Sequence, residues 1–322
     1  MAEEIKKEII NNIYTLLSAS IMKPLSYKRR SRGFISELMF REKCVKEKKH
    51  YLEGGWIFFR GDSLKVNKEA VYITTSFSKP DLYTDFYSEL SKCPSIKRLF
   101  FFIIKPFKQW NKIKIVAAGN TVEILEPSFD TYEFTGVKFV KCEIKEFTDL
   151  FPILKNSRYY KTAEKPMEML NYLSKFGEQD LAELYCSRYV IDYLMKGRDQ
   201  SYGMDFDGII NENGRYFVVE TKEKDPGPSD RKGIPKEKWF FGWDSIRLVW
   251  YLYLVKTTNL GCYSVVLEID NRVDRKPIDW KRAEILELCK SIHYGNAMTG
   301  GVGMGGSAGS TTIAPYLAFK SF

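Results

Sequence analysis

Hydrophobic and polar positions along the chain follow two periods, and where each holds predicts the elements. Residues 3–18 place Ile5, Ile9, Ile13, Leu16 and Leu17 at helical spacing, which predicts an amphipathic helix. The basic stretch YKRRSR (27–32) then reads as a loop, and 33–48 as a second helix. Strand-like runs follow at 55–60 (GWIFFR), 70–77 (AVYITTSF) and 97–105 (KRLFFFIIK), with a helix expected at 81–92 between the last two. Further strands are expected at 112–118, 121–125 and 136–144. From about 164 the pattern turns helical, with a break near Gly177 and a stop at Gly197. Two short apolar runs around Asn213-Gly214 predict a β-hairpin. A polar Pro/Gly-rich loop (225–238), a buried helix (242–256), a strand (261–270) and a helix (279–293) complete the order, and TIAPYLAF near the C-terminus reads as a further strand.

The second half thus runs helix, strand, strand, helix, strand, helix, an order that predicts an α/β fold with a mixed sheet. A two-domain division is expected, with a basic α+β region at 1–160 and the α/β domain at 161–322. The first half echoes the second weakly: helix 33–48, strands near 56 and 72, helix 81–92, strand 97–105. Either a duplication or the general likeness of mixed chains accounts for the echo, and the second is preferred.

Composition narrows the class. With 44% hydrophobic and 28% charged residues over 322, the chain has the makings of a folded globular protein with a full core. Its net charge of +9 is uneven: residues 1–160 hold 28 Lys+Arg against 19 Asp+Glu, while 161–322 hold 22 of each. A basic half beside a balanced, acid-containing half suits a phosphate-binding surface coupled to a cation-dependent site. The same charge also merely keeps a protein soluble. The six cysteines are scattered with no C-x-x-C pair, which argues against a zinc ribbon or disulfide framework and for a reducing cytoplasm. Only His50 and His293 are present, so histidine-based zinc or triad chemistry is poorly supplied. The first residues lack a signal-peptide layout, and the longest apolar run, LFFFII at 99–104, is far too short to span a bilayer. A cytoplasmic protein with no membrane partner is expected.

The hairpin 202–225 (YGMDFDGIINENGRYFVVETKEKD) concentrates the candidate chemistry. Alternation puts Val218, Glu220 and Lys222 on one strand face, and Asp205, Asp207 and Ile209 on one face of the other run. In the right register, closing the Asn213-Gly214 turn brings Asp207 towards Glu220 and Lys222. Two neighbouring carboxylates repel, and a hard divalent cation relieves the repulsion. Mg²⁺ prefers oxygen ligands and keeps several waters, so two acids and a backbone carbonyl suffice. Such a cation binds a scissile phosphate and acidifies water. A lysine beside it orients the water or helps deprotonate it, and offsets the developing charge. The plainer reading is an edge hairpin whose charges face water.

With Asp207 followed thirteen positions later by Glu220-Thr221-Lys222, the stretch resembles the PD-(D/E)XK, or restriction-endonuclease-like, nuclease superfamily. The resemblance implies a mixed central sheet flanked by helices. It also implies that Asp207 and Glu220 hold Mg²⁺, that the Thr221 carbonyl joins them, and that Lys222 serves the water. A glutamate on the preceding helix often completes the set; Glu183 and Glu178 are the candidates, and Glu183 is preferred. Phe206 stands where the name-giving proline would be. Asp205 is either a further ligand or a solvated neighbour, and the second is preferred.

Other basic positions are candidate DNA contacts: Lys28, Arg29 and Arg30 in YKRRSR, Lys224, Arg231 and Lys232 after the hairpin, and Arg247 within an apolar helix. Each also reads as an ordinary solvated charge. Trp243, Leu248, Trp250, Tyr251 and Leu254 of that helix read as core. The glycine-rich 299–312 (TGGVGMGGSAGSTT) contains G-x-G-x-x-G but precedes a strand instead of opening a helix, so no nucleotide cofactor is expected. The expected function is a Mg²⁺-dependent type II restriction endonuclease acting on double-stranded DNA, a homodimer by resemblance. The alternatives are a repair or Holliday-junction-type nuclease, and a non-catalytic nucleic-acid-binding protein on a nuclease-like fold.

Overall fold

The computed structural model describes residues 2–18, 24–60, 69–117, 120–153, 172–195, 198, 200–228, 230–271, 274–299 and 310–322. The chain is mixed α/β and forms two compact units, Met1–Leu38 with Glu53–Asp205, and Met39–Leu52 with Phe206–Phe322. It therefore does not divide into consecutive halves near residue 160 but crosses between the units three times.

In the first unit, helix α1 (Ala2–Ser18) buries Ile9, Ile13 and Leu16, as its spacing predicts. Helix α2 (Pro24–Lys46) begins in this unit and ends in the second. The strands, numbered after β1 (His50–Leu52) of the second unit, are β2 (Gly55–Arg60), β3 (Ala70–Ser76), β4 (Ile96–Ile104), β5 (Asn111–Ala117), β6 (Asn120–Glu126), β7 (Phe129–Phe134), β8 (Phe139–Cys142) and β9 (Gln200–Phe206). Six of them form a sheet in the order β9-β2-β3-β4-β7-β8, and β5–β6 is a separate hairpin. β2–β3 is antiparallel and β3–β4 parallel, joined by a short 3-10 turn and helix α3 (Thr84–Leu90). Trp56, Phe58, Val71, Ile73, Phe100 and Phe102 build its core with Phe147 and Phe151, which flank the end of helix α4 (Ile144–Thr148). Ile191 and Met195 close it from a helix that runs as α5 (Glu178–Leu184), one π-helical stretch (Tyr185–Val190) and α6 (Ile191–Leu194).

The second unit centres on the sheet β1-β10-β11-β13-β14-β17, from β10 (Gly208–Glu212), β11 (Arg215–Lys224), β13 (Gly261–Ile269), β14 (Pro277–Glu284) and β17 (Lys320–Ser321). β12 (Phe240–Asp244), β15 (His293–Thr299) and β16 (Ser310–Pro315) form a small second sheet. Helix α7 (Ser245–Thr257) connects β12 to β13, and α8 (Ile285–Ser291) follows β14. Every residue of β13 is buried, as a central strand flanked on both sides requires. Ile210, Phe217, Val219, Tyr263, Val265, Leu267 and Trp280 pack one face, together with Phe40 and Cys44 of α2.

The two large sheets share one plan. Each has an edge strand, an antiparallel pair, a helix-linked parallel strand and then two antiparallel strands. The edge strands are exchanged along the chain. β1 directly precedes β2 but pairs with β10, while β9 directly precedes β10 but lies beside β2.

Several expectations need correction. YKRRSR is the first part of α2, not a loop; it holds no glycine or proline, and its bases are good helix formers. The strand expected over 136–144 is the second arm of a hairpin that turns at Gly136 (φ +90°). The helix expected over 242–256 starts only at Ser245, after β12. That expected over 279–293 starts at Ile285, after β14, whose Trp280 and Ala283 face inward. Of the segment expected to be helical from 164, residues 164–171 lie outside the described residues, as does most of the glycine-rich 299–312.

Candidate active site

The β10–β11 hairpin sets the site. Asn213 (φ +54°) and Gly214 (φ +81°) both take left-handed backbone, the two-residue turn that matches strand twist, and Asn211 Oδ1 accepts from the Gly214 amide at 3.0 Å. This turn fixes the register Gly208↔Val219, and Asp207 N donates to Val219 O at 2.9 Å. The ladder ends there, so Asp207 lies just beyond the last strand pair, beside the point where the Glu220-Thr221 main chain continues. A side chain at position 208 would not fit: a Cβ there would lie 2.5 Å from the Tyr51 ring, whose hydroxyl donates to the Asp207 carbonyl at 3.1 Å. The glycine thus lets Tyr51 close over the bend that presents Asp207.

At that point β11 loses its β10 partner and Asp207 takes over. Asp207 Oδ2 accepts from Thr221 N at 2.5 Å. Amide and carbonyl of one strand residue face the same neighbour, so the Thr221 carbonyl is directed to the Asp207 side. Glu220 is fully buried; its Oε1 receives Lys222 Nζ and, at 2.5 Å, Arg247 Nη1, and its Oε2 receives the Tyr251 hydroxyl at 2.7 Å. Arg247 and Tyr251 stand four residues apart on α7, so one helix face presents both donors to the carboxylate. Lys222 Nζ also lies 5.8 Å from the centre of the Trp243 ring, a cation–π distance.

Burial, then the Glu220 carboxylate and more weakly Asp207, pushes the Tyr251 phenol well above its ordinary range, so it stays a neutral donor. Burial and Glu220 likewise raise the Cys262 thiol, which stays protonated behind the strand. The oxygen donors Asp207, Glu220 and the Thr221 carbonyl suit a hard divalent cation in kind, and a cation there would share Glu220 with, or take it from, Lys222 and Arg247.

Other predicted site residues have partners of their own. Glu183 is buried on α5 in the first unit, where its Oε1 accepts from Ser76 Oγ at 2.9 Å and Phe77 N at 3.1 Å. Glu178 opens the same helix and is half-buried. Asp205 is not a solvated neighbour: it is buried and accepts from Arg188 Nη1 at 3.1 Å, and Arg188 also pairs with Glu37 at 2.8 Å. The run DFDGII is not one strand, because β9 ends at Phe206 and β10 begins at Gly208, in different sheets. Arg231 is tied into its own loop by the Pro226 carbonyl and, at 2.7 Å, the Asp270 carbonyl. Lys224 donates to the Gly242 carbonyl at 2.6 Å, whereas Lys232 is exposed. The side chains of Lys28, Arg29 and Arg30 lie outside the described residues.

Sequence reasoning assigned Tyr251 to the core alone and left its hydroxyl out. The i, i+4 spacing of Arg247 and Tyr251 on an otherwise apolar helix was the available signal. No helix among the described residues is long and apolar enough to cross a membrane. All six cysteines are free thiols. Compared with protein-family models, curated proteins and solved structures, the chain matches none.

Proposed function

We propose that the chain is a Mg²⁺-dependent, sequence-specific double-stranded DNA endonuclease with a restriction-endonuclease-like core, working in the cytoplasm as a homodimer. One observation carries the reading: the Asp207 carboxylate sits on the main chain of the Glu220-Thr221-Lys222 segment, 2.5 Å from Thr221 N, with Glu220 and Lys222 bonded to each other. A solvated charged hairpin has no cause to bury one of its acids completely. The order helix, β9, β10, β11, α7, β13, with β11 and β13 parallel, supports the fold assignment. The first unit leaves room for recognition.

Asp207, Glu220 and the Thr221 carbonyl would hold the cation, which when bound polarises the phosphate and acidifies water. In hydrolysis a water oxygen bonds to phosphorus, one phosphoester bond breaks, and the departing oxygen takes up a proton. Lys222 orients that water and offsets the charge gathering on the phosphate oxygens. Arg247 and Tyr251 fix the Glu220 carboxylate in one rotamer, so that its oxygens need no rearrangement during the step.

Phage DNA incubated with the protein and Mg²⁺ tests this. Discrete fragments that disappear with EDTA are expected. Cleavage confined to branched substrates would favour a repair or recombination nuclease, and retention of DNA without scission a non-catalytic binder.

A further inference from the structure

Glu220 carries more positive charge than holding it in place requires. Lys222 and Arg247 both bond to one carboxylate oxygen, Oε1, while the Tyr251 hydroxyl bonds to Oε2. With Lys222 on one oxygen and Tyr251 on the other, the carboxylate is fixed before Arg247 is counted. Arg247 also stands in the first turn of α7, where the helix dipole opposes a cation unless an anion faces it. Glu220, fully buried, is such an anion. Lys222 and Arg247 are only half-buried, so both keep a face towards solvent.

On the nuclease reading above, we infer that Arg247 sets the strength of the cation site: its charge keeps a divalent cation weakly held until a phosphate of the DNA joins it. Glu220 with Lys222 and Arg247 sums to one positive charge, since one carboxylate answers two cations. A divalent cation on Glu220 shares its oxygens with both and is repelled by both. Repulsion between like charges a few ångströms apart in a part-buried setting exceeds a factor of about ten in affinity. A phosphodiester supplies the missing negative charge and pairs with the guanidinium, so cation and DNA strengthen each other's binding. Removing the Arg247 charge therefore tightens cation binding without DNA and shrinks that mutual gain. A purely mechanical role has the opposite sign: without Arg247 the Glu220 carboxylate is held less firmly, and the cation binds more weakly.

Mn²⁺ titration of the full chain without DNA, followed by electron paramagnetic resonance, compares wild type, Arg247→Met and Asp207→Ala. Circular dichroism checks the folds, and Arg247→Gln, polar and uncharged, repeats the measurement if the methionine variant does not fold. The Mn²⁺ dissociation constant should fall at least about tenfold in Arg247→Met. An unchanged or higher constant would mean that Arg247 only positions Glu220, and overturns the inference. The coupling is measured from the DNA side, since linkage makes the gain equal in both directions. Fluorescence anisotropy follows a labelled duplex of random sequence with and without Ca²⁺, and a gel confirms that the duplex stays intact. Ca²⁺ should strengthen duplex binding several-fold more in wild type than in Arg247→Met. An equal gain in the two proteins would also overturn the inference. If neither wild type nor Arg247→Met binds Mn²⁺ better than Asp207→Ala, the cation reading itself falls, and this inference with it.

Discussion

Replacing Tyr251 by Phe isolates one bond of the site. Tyr251 is fully buried, and its hydroxyl donates to Glu220 Oε2 at 2.7 Å while its ring lies 6.2 Å from Phe206 and 6.4 Å from Trp243. Phe keeps the ring and its packing, so the substitution removes only the hydroxyl. A hydrogen bond to a charged group contributes about 1.5–3 kcal/mol, and here the carboxylate is left buried with one donor fewer. Lys222 and Arg247 both act on Oε1, so they do not replace the lost bond on Oε2. A loss of about 2 kcal/mol is therefore expected, read as a lower urea midpoint at unchanged slope. A double-mutant cycle with Glu220→Gln should return a coupling of at least about 1 kcal/mol, because the charge is what strengthens the bond. A change below roughly 0.5 kcal/mol, the range of an ordinary surface substitution, would refute the bond and the positioning of Glu220 by α7.

Three further outcomes follow from the same geometry. Gly208→Ala should cost about 1–3 kcal/mol in urea unfolding, since the new methyl must displace the Tyr51 ring and its bond to the Asp207 carbonyl. Arg247→Ala should lower stability by roughly 1–3 kcal/mol in the same assay, because Glu220 stays buried with one charged donor fewer. Stability should also fall at alkaline pH. Burial raises the Cys186 and Cys262 thiols well above their ordinary 9.0, and the Tyr83, Tyr87 and Tyr251 phenols well above 10.0. Above those ordinary values the unfolded chain sheds protons that the folded chain keeps. The stabilisation is thus whole below about pH 9 and is lost as pH climbs past 9 and then 10. Urea midpoints measured from pH 8 to 11 check this, and a midpoint that holds constant or rises would contradict it.

The hairpin was legible because its information is local. Asn213-Gly214 dictates the turn, the turn dictates the register, and period-two alternation does the rest. The exchanged strands were not legible, because nothing in His50–Leu52 or Gln200–Phe206 states which distant sheet receives it. β12 and β14 were partly absorbed into helices because Trp243 and Trp280 fit either period over so few residues. Tyr251 was half legible: its ring belongs to the core, as expected, while its hydroxyl belongs to the site. A residue that serves both shows only the first in an apolar pattern. The echo between the two halves pointed to a shared plan, and its weakness has a physical reason. Core packing constrains residue class and not identity, so two sheets of one plan need share few residues.

The central claim is that Asp207 and Glu220 hold a cation that drives phosphodiester hydrolysis. Single-turnover scission of plasmid DNA in Mg²⁺, wild type against Asp207→Ala, tests it most directly. The account predicts Mg²⁺-dependent scission by the wild type and none by Asp207→Ala, with DNA binding largely retained in the variant. Equal scission rates for the two proteins would contradict it.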